Sequence, residues 1–171
     1  VELHEVESWV REIPAVKNVR VYPGLNRTLH VQVTQRKPLA RLHTSSETPD
    51  LYIDSQGLPL PLSPYYTARV PIIHAESFED AQSAFELVRA THEHPVWSAF
   101  IDQITLTPEG ALEIVPRIGS ARILLGDLTQ LEAKLAKLEV FYREQIKRGN
   151  LNAYKRINLT FHEQVVAQRY Y

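Results

Sequence analysis

The chain has 171 residues, 44% of them hydrophobic, and a formal net charge of -1. That length and apolar content suit one large or two small domains with a real core, and the balanced charge gives no global reason to expect nucleic acid. The absence of cysteine excludes disulfides, thiolate-held metal and thiol catalysis.

Leu3, Val6, Trp9 or Val10, and Ile13 recur every three or four residues, so the first dozen residues read as an amphipathic helix, and Pro14 stops it. Val19 and Val21 then alternate with Arg20 and Tyr22, and Leu29, Val31 and Val33 alternate with His30, Gln32 and Thr34. This period of two marks strands with one buried face. Between them, Pro23-Gly24-Leu25-Asn26 supplies turn chemistry. A polar loop from Thr44 to Asp50 follows Arg41, then a strand at Leu51-Tyr52-Ile53 and a tight turn at Asp54-Ser55-Gln56-Gly57. Leu58 to Pro64 alternates leucine with proline, and each proline removes a ladder donor, so this is at most an edge strand.

Ser77 opens a predicted helix with Asp80 as its capping-box acid, Ala81, Ala84, Phe85 and Val88 on one face, and Pro95 at its close. Ile101, Ile104 and Leu106, then Leu112 and Ile114, then Ala121, Ile123 and Leu125 read as a meander of short strands. Thr129-Gln130-Leu131-Glu132 has the form of a second capping box, and Leu131, Leu135, Leu138 and Tyr142 carry a long helix to about Lys147, with Gly149 past its end. Glu139/Arg143 and Glu144/Arg148 stand four apart along it. The chain closes on a hairpin: Tyr154 to Phe161, a turn at His162-Glu163-Gln164, and Val165 to Arg169.

Enzyme signatures are absent: there is no phosphate-cradling glycine loop, no zincin pair and no nucleophile elbow. His92-Glu93-His94 offers two imidazoles without a third ligand at metal spacing, and reads as a solvated helix end. No metal, cofactor or catalytic residue is expected. The acidic stretch 42–110 and the basic stretch 111–171 leave nucleic acid unsupported, because the helical lysines and arginines are interleaved with glutamates. A final strand often lies at a sheet edge, where unpaired backbone groups can accept another chain; the alternative, which the residues alone favour, is an interior or blunted strand flanked by the charges of Glu163 and Arg169.

"IPAVKNVRV", a turn, and "TLHVQVTQRKPLARL" resemble the end of the POTRA domain in the FtsQ/DivIB family of bacterial cell-division proteins, through Ile13, Pro14, Val16, Lys17, Val19, Thr28, Leu29, Arg36, Pro38, Ala40 and Arg41. Leu125-Gly126 before the long helix, Asn158-Leu159-Thr160-Phe161 and Val165-Val166-Ala167 match the family's close. The resemblance implies an α+β chain: a partial POTRA domain (helix, strand, strand) over residues 1–36, then a mixed domain of short strands with two helices and a C-terminal hairpin over 37–171. Its first strand and helix, and an N-terminal membrane anchor, would belong to a longer protein, as the start at Val1 and the lack of methionine also suggest.

The family further implies a non-catalytic scaffold at the periplasmic face of the inner membrane, which pairs its last strand with FtsB, itself bound to FtsL, and meets other divisome proteins through the POTRA part. Carried over by position, the partner-binding residues are Phe161, Val165, Val166, Ala167, Gln168 and Arg169; where the family often has an aromatic at the end of the strand, this chain has Arg169 and then two tyrosines. The alternatives are another POTRA-bearing envelope protein that handles outer-membrane polypeptides, or a small hydrolase with converging histidines and carboxylates.

Overall fold

Alternating apolar residues sort the chain into two sheets in the computed structural model, which describes residues 2–44 and 49–170. The first sheet has two strands. Helix α1 (Leu3–Arg11) ends before Pro14, and β1 (Val16–Pro23) pairs antiparallel with β2 (Leu29–Gln35), setting Val19 opposite Val33 and Val21 opposite Val31. Asn26 and Arg27 turn the chain with left-handed φ of 63° and 59°. A side chain at Gly24 would displace its neighbours: a Cβ would stand 2.4 Å from the His30 ring and 2.5 Å from Thr28 Oγ1.

α1 covers β1 alone. Val19 and Val21 are buried and the Glu7 carboxylate accepts the Val21 N–H at 2.9 Å, whereas Leu29, Val31 and Val33 of β2 are each more than 40% exposed. The half-buried β2 expected from its alternation is therefore open on both faces.

The second sheet has nine strands among the described residues: β3 (Pro38–Thr44), β4 (Leu51–Asp54), β5 (Pro59–Pro61), β6 (Ile72–Ala75), β7 (Ile101–Leu106), β8 (Leu112–Pro116), β9 (Arg122–Gly126), β10 (Tyr154–Asn158) and β11 (Val166–Arg169). Their order is β11-β10-β9-β8-β7-β6-β3-β4-β5. The β3/β6, β6/β7 and β9/β10 pairs are parallel and the rest antiparallel. Three helices serve its crossovers: α2 (Gln82–Thr91) and α3 (Pro95–Phe100) between β6 and β7, and α4 (Leu131–Lys147) between β9 and β10.

Register lines up one row on the inner side of the sheet: Leu42, Ile73, Ile104, Ile114, Ile123 and Ile157, each at most 1% exposed, and then Ala167 at the edge. Phe85, Leu87 and Val88 of α2 and Leu135, Leu138 and Tyr142 of α4 close over that row. The neighbouring row, His43, His74, Thr105, Glu113, Leu124, Asn158 and Val166, belongs to the opposite face and stays partly or fully exposed. One face is therefore core and the other meets solvent.

The α+β class and the order of elements agree with the sequence reading, with local differences. Ser77 and Asp80 do exchange hydrogen bonds, Asp80 N–H to Ser77 Oγ at 3.1 Å and Ser77 Oγ to Asp80 Oδ2 at 2.6 Å, but on a turn ahead of α2. α2 ends at Thr91, and Pro95 opens α3 instead of closing α2, so with α4 the part after residue 36 has three helices among the described residues where two were expected. Proline suits a first helical position because its missing N–H has no intrahelical acceptor there.

No capping box forms at α4: Asp127 takes both the N–H and the hydroxyl of Thr129, and Gln130 precedes the helix in a left-handed conformation. Glu139 pairs with Arg143 as the spacing predicts, while Glu144 pairs with Lys147 at 2.9 Å instead of Arg148. Residues 45–48 of the expected Thr44–Asp50 loop, and Tyr171, lie outside the described residues.

Candidate functional site

β11 hydrogen-bonds to β10 on one side, and no other strand lies on its outer side among the described residues. The register sets Asn158 opposite Val166, Ile157 opposite Ala167, Arg156 opposite Gln168 and Tyr154 opposite Arg169, with a bulge between Tyr154 and Arg156. The strand begins one residue later than the sequence suggests, and β10 ends at Asn158, so Phe161 stands in the connecting loop and not on a strand.

The expected residues divide by face. Val165, just before the strand, and Ala167 pack against the core on the α4 side, whereas Val166 and Gln168 are exposed on the other. Arg169 turns back over Tyr154, its guanidinium carbon 5.3 Å from the ring centroid and Nη2 donating to the phenol oxygen at 3.4 Å. Tyr154 donates in turn to Gln145 Oε1 of α4 at 3.2 Å and meets Phe141 edge-on at 5.1 Å. Arg169 is thus held to its own sheet, and what remains free along β11 is backbone with short apolar and amide side chains.

Lys137 of α4 donates from Nζ to the carbonyls of Phe161 and His162 at 2.6 and 3.1 Å, and Asn158 Oδ1 accepts from Thr160 N–H at 2.9 Å. These bonds tie the loop to α4 and to the end of β10. On the solvent face a hollow of about 360 Å³ lies beside the edge, lined by Glu113, Ser120, Arg122, Lys155, Arg156, Gln168 and Tyr170. Glu113 bridges Arg122 at 3.0 Å and Arg156 at 3.3 Å, and three cations against one carboxylate leave the hollow basic. Sequence reasoning missed Lys137, Lys155 and Arg156 as neighbours of this edge. The signal available was Lys155-Arg156 preceding Ile157 on a strand with a polar outer face.

A second hollow, about 550 Å³, opens at the carboxyl ends of the parallel strands and includes His43, His74, Glu76 and Asp80. Three of its groups have partners outside the lining: His43 Nδ1 lies 2.8 Å from Asp50 Oδ1, His74 Nε2 2.9 Å from Gln103 Oε1, and Asp80 accepts from Ser77. Burial works to raise the Asp50 pKa, but the hydrogen bonds of His43 and Arg41 outweigh it and hold the carboxyl below its ordinary range. His92 Nδ1 lies 2.8 Å from the Arg89 carbonyl at the end of α2.

A family model described as FtsQ/DivIB, C-terminal related, matches residues 37–168, from the first residue after Arg36 to Gln168 within β11. The chain belongs to that family. A search among curated proteins returns no match. FtsQ/DivIB proteins are non-catalytic division scaffolds, and membership ties the chain to cell division and to protein–protein contacts of the divisome. The match ends at Gln168, inside β11.

Proposed function

We propose that the chain is the extracytoplasmic part of an FtsQ-like divisome scaffold that recruits an FtsB-like partner, and FtsL with it, by strand addition at β11. Phe161, Val165, Val166, Ala167, Gln168 and Arg169 frame the docking site. The observation that carries the reading is the position of β11: among the described residues it ends the nine-stranded sheet with no strand beyond it, and an edge offers N–H and C=O groups that an extended segment can complete. Lys137 keeps the preceding loop in place, and the basic hollow beside Gln168 favours a partner segment that carries acidic side chains.

In this reading residues 1–36 are a partial POTRA domain that meets other divisome proteins, residues 37–171 are the FtsQ-type domain, and an N-terminal helix anchors the whole protein at the periplasmic face of the inner membrane. The test is binding of an FtsB-like peptide. Val166→Pro removes a backbone donor and should abolish binding while circular dichroism keeps its folded signature. Val166→Lys keeps the backbone intact and should weaken binding far less. Unchanged affinity in Val166→Pro rules out strand addition here.

A further inference from the structure

Arg36 lies between the two sheets, and the proposed function gives it no part. Only Arg36 and Lys37 separate β2 from β3. None of the hydrophobic residues that form the main core comes from the first sheet, whose Val19 and Val21 are buried apart from it. No element of the first sheet packs broadly on an element of the second. A two-residue link without a shared core leaves the relative attitude of the sheets to whatever polar contacts cross the junction.

Arg36 makes those contacts. Its Nε donates to Asp54 Oδ2 at 2.7 Å, Nη1 to the Pro14 carbonyl at 3.1 Å, and Nη2 to the carbonyls of Leu58 and Pro59 at 3.2 and 3.0 Å. Its own N–H donates to the Ala15 carbonyl at 2.8 Å. One planar guanidinium therefore grips the α1–β1 corner of the first sheet and the β4–β5 turn of the second. Asp54 is prepared for this: it is 2% exposed, its Oδ1 already accepts the N–H groups of Gln56 and Leu58 at 2.9 Å, and Oδ2 faces Arg36. A fork with fixed donor directions can hold an angle in a way that a lysine on a flexible stem cannot.

We propose that Arg36 is an orientation clasp that locks the two-stranded sheet at one angle to the nine-stranded sheet. The clasp makes the first sheet a fixed outrigger of the second, so that whatever docks on either surface does so at a set attitude to the other. Residual dipolar couplings on the full chain read this directly. In the unaltered protein the couplings of β1–β2 and of β6–β9 should fit one alignment tensor.

In Arg36→Met the two sets should need separate tensors, that of β1–β2 shrinking about twofold or more as the sheets reorient. Asp54→Asn keeps an oxygen for the Gln56 and Leu58 N–H groups but removes the charge facing Arg36, and should give the same separation. Arg36→Lys should fall between. Unchanged β6–β9 amide shifts establish that each variant is folded. A single tensor at the original angle in both Arg36→Met and Asp54→Asn overturns the proposal. So does loss of the β6–β9 shifts in every variant, since the arginine would then serve the fold and not the angle.

Discussion

At one end of the nine-stranded sheet β5 is three residues long, two of them are prolines, and Arg36 occupies the carbonyls of Leu58 and Pro59; at the other, β11 runs Val166-Ala167-Gln168 without proline or charge until Arg169. Both are edges by topology, yet only one retains its donors. Proteins blunt edges that must not pair, with proline and short length among the commonest devices. A sheet blunted at one end and left open at the other is what single-partner strand addition requires.

Removing packing beneath each edge gives the largest expected effect. Ile157→Ala, under β11, should cost about 2–5 kcal/mol in urea unfolding, because the site is fully buried and its neighbours are fixed. Leu60→Ala, on β5 itself, should fall at the low end of that range, since Leu60 is buried outside the main core and a three-residue strand has fewer neighbours to disturb. A reversed order would mean that β11 is the looser edge. Next comes an attempt to erase the difference: Pro59→Thr with Pro61→Thr restores two donors to β5 and should make the chain self-associate in concentration-dependent light scattering, and a strictly monomeric double variant would assign the protection to Arg36 instead.

Arg169→Ala removes the stacking on Tyr154 and should cost about 0.5–1 kcal/mol of stability. Binding should change little, because Arg169 frames the docking site through its backbone while its side chain faces its own sheet. The β5 end should also be acid-sensitive. Burial acts to raise the Asp54 pKa, but the hydrogen bond from Arg36 and the N–H groups of Leu58 and Gln56 prevail and leave it below the ordinary aspartate value. A carboxyl depressed in the folded state adds stability above its unfolded pKa and loses it as pH falls through the folded one. Thermal unfolding should therefore show a decline at low pH that Asp54→Asn flattens.

Tyr142, between the two ends, has a hydroxyl with no hydrogen-bond partner among the described residues, and burial pushes its pKa up to about 12. Tyr142→Phe should be neutral or up to about 1 kcal/mol more stable, and should leave both edges as they were.

Much of this was legible in the sequence because period-two alternation and 3.6-residue spacing are local signals. β1, β4, α4 and the terminal hairpin all carry them, and the prolines of β5 announced an edge before any topology was known. What failed did so where two local rules compete. Pro95 satisfies both helix closure and helix opening, and only the packing of Trp97 and Phe100 into the core decides for the second. Thr129 heads a formally correct capping box, yet Asp127 two residues earlier is a stronger acceptor and captures it. The alternation of β2 is as regular as that of β1, but burial depends on α1, which reaches across one strand only. The parallel seat of β10 beside β9 joins residues more than thirty apart, and the four acceptors of Arg36 come from three separate stretches, so neither leaves a local trace.

The inner row of the sheet runs through leucine and isoleucine and stops at Ala167. With the least apolar area of the row at the edge, β11 has the least to lose by separating from β10, so its amides should exchange hydrogen with solvent by brief local fraying while those around Ile104 and Ile114 wait for global unfolding. An added strand would turn β11 into an interior strand. The amides that exchange fastest in the free chain should then become protected, and recruitment of a partner would be recorded as a change in the cooperativity of the sheet itself.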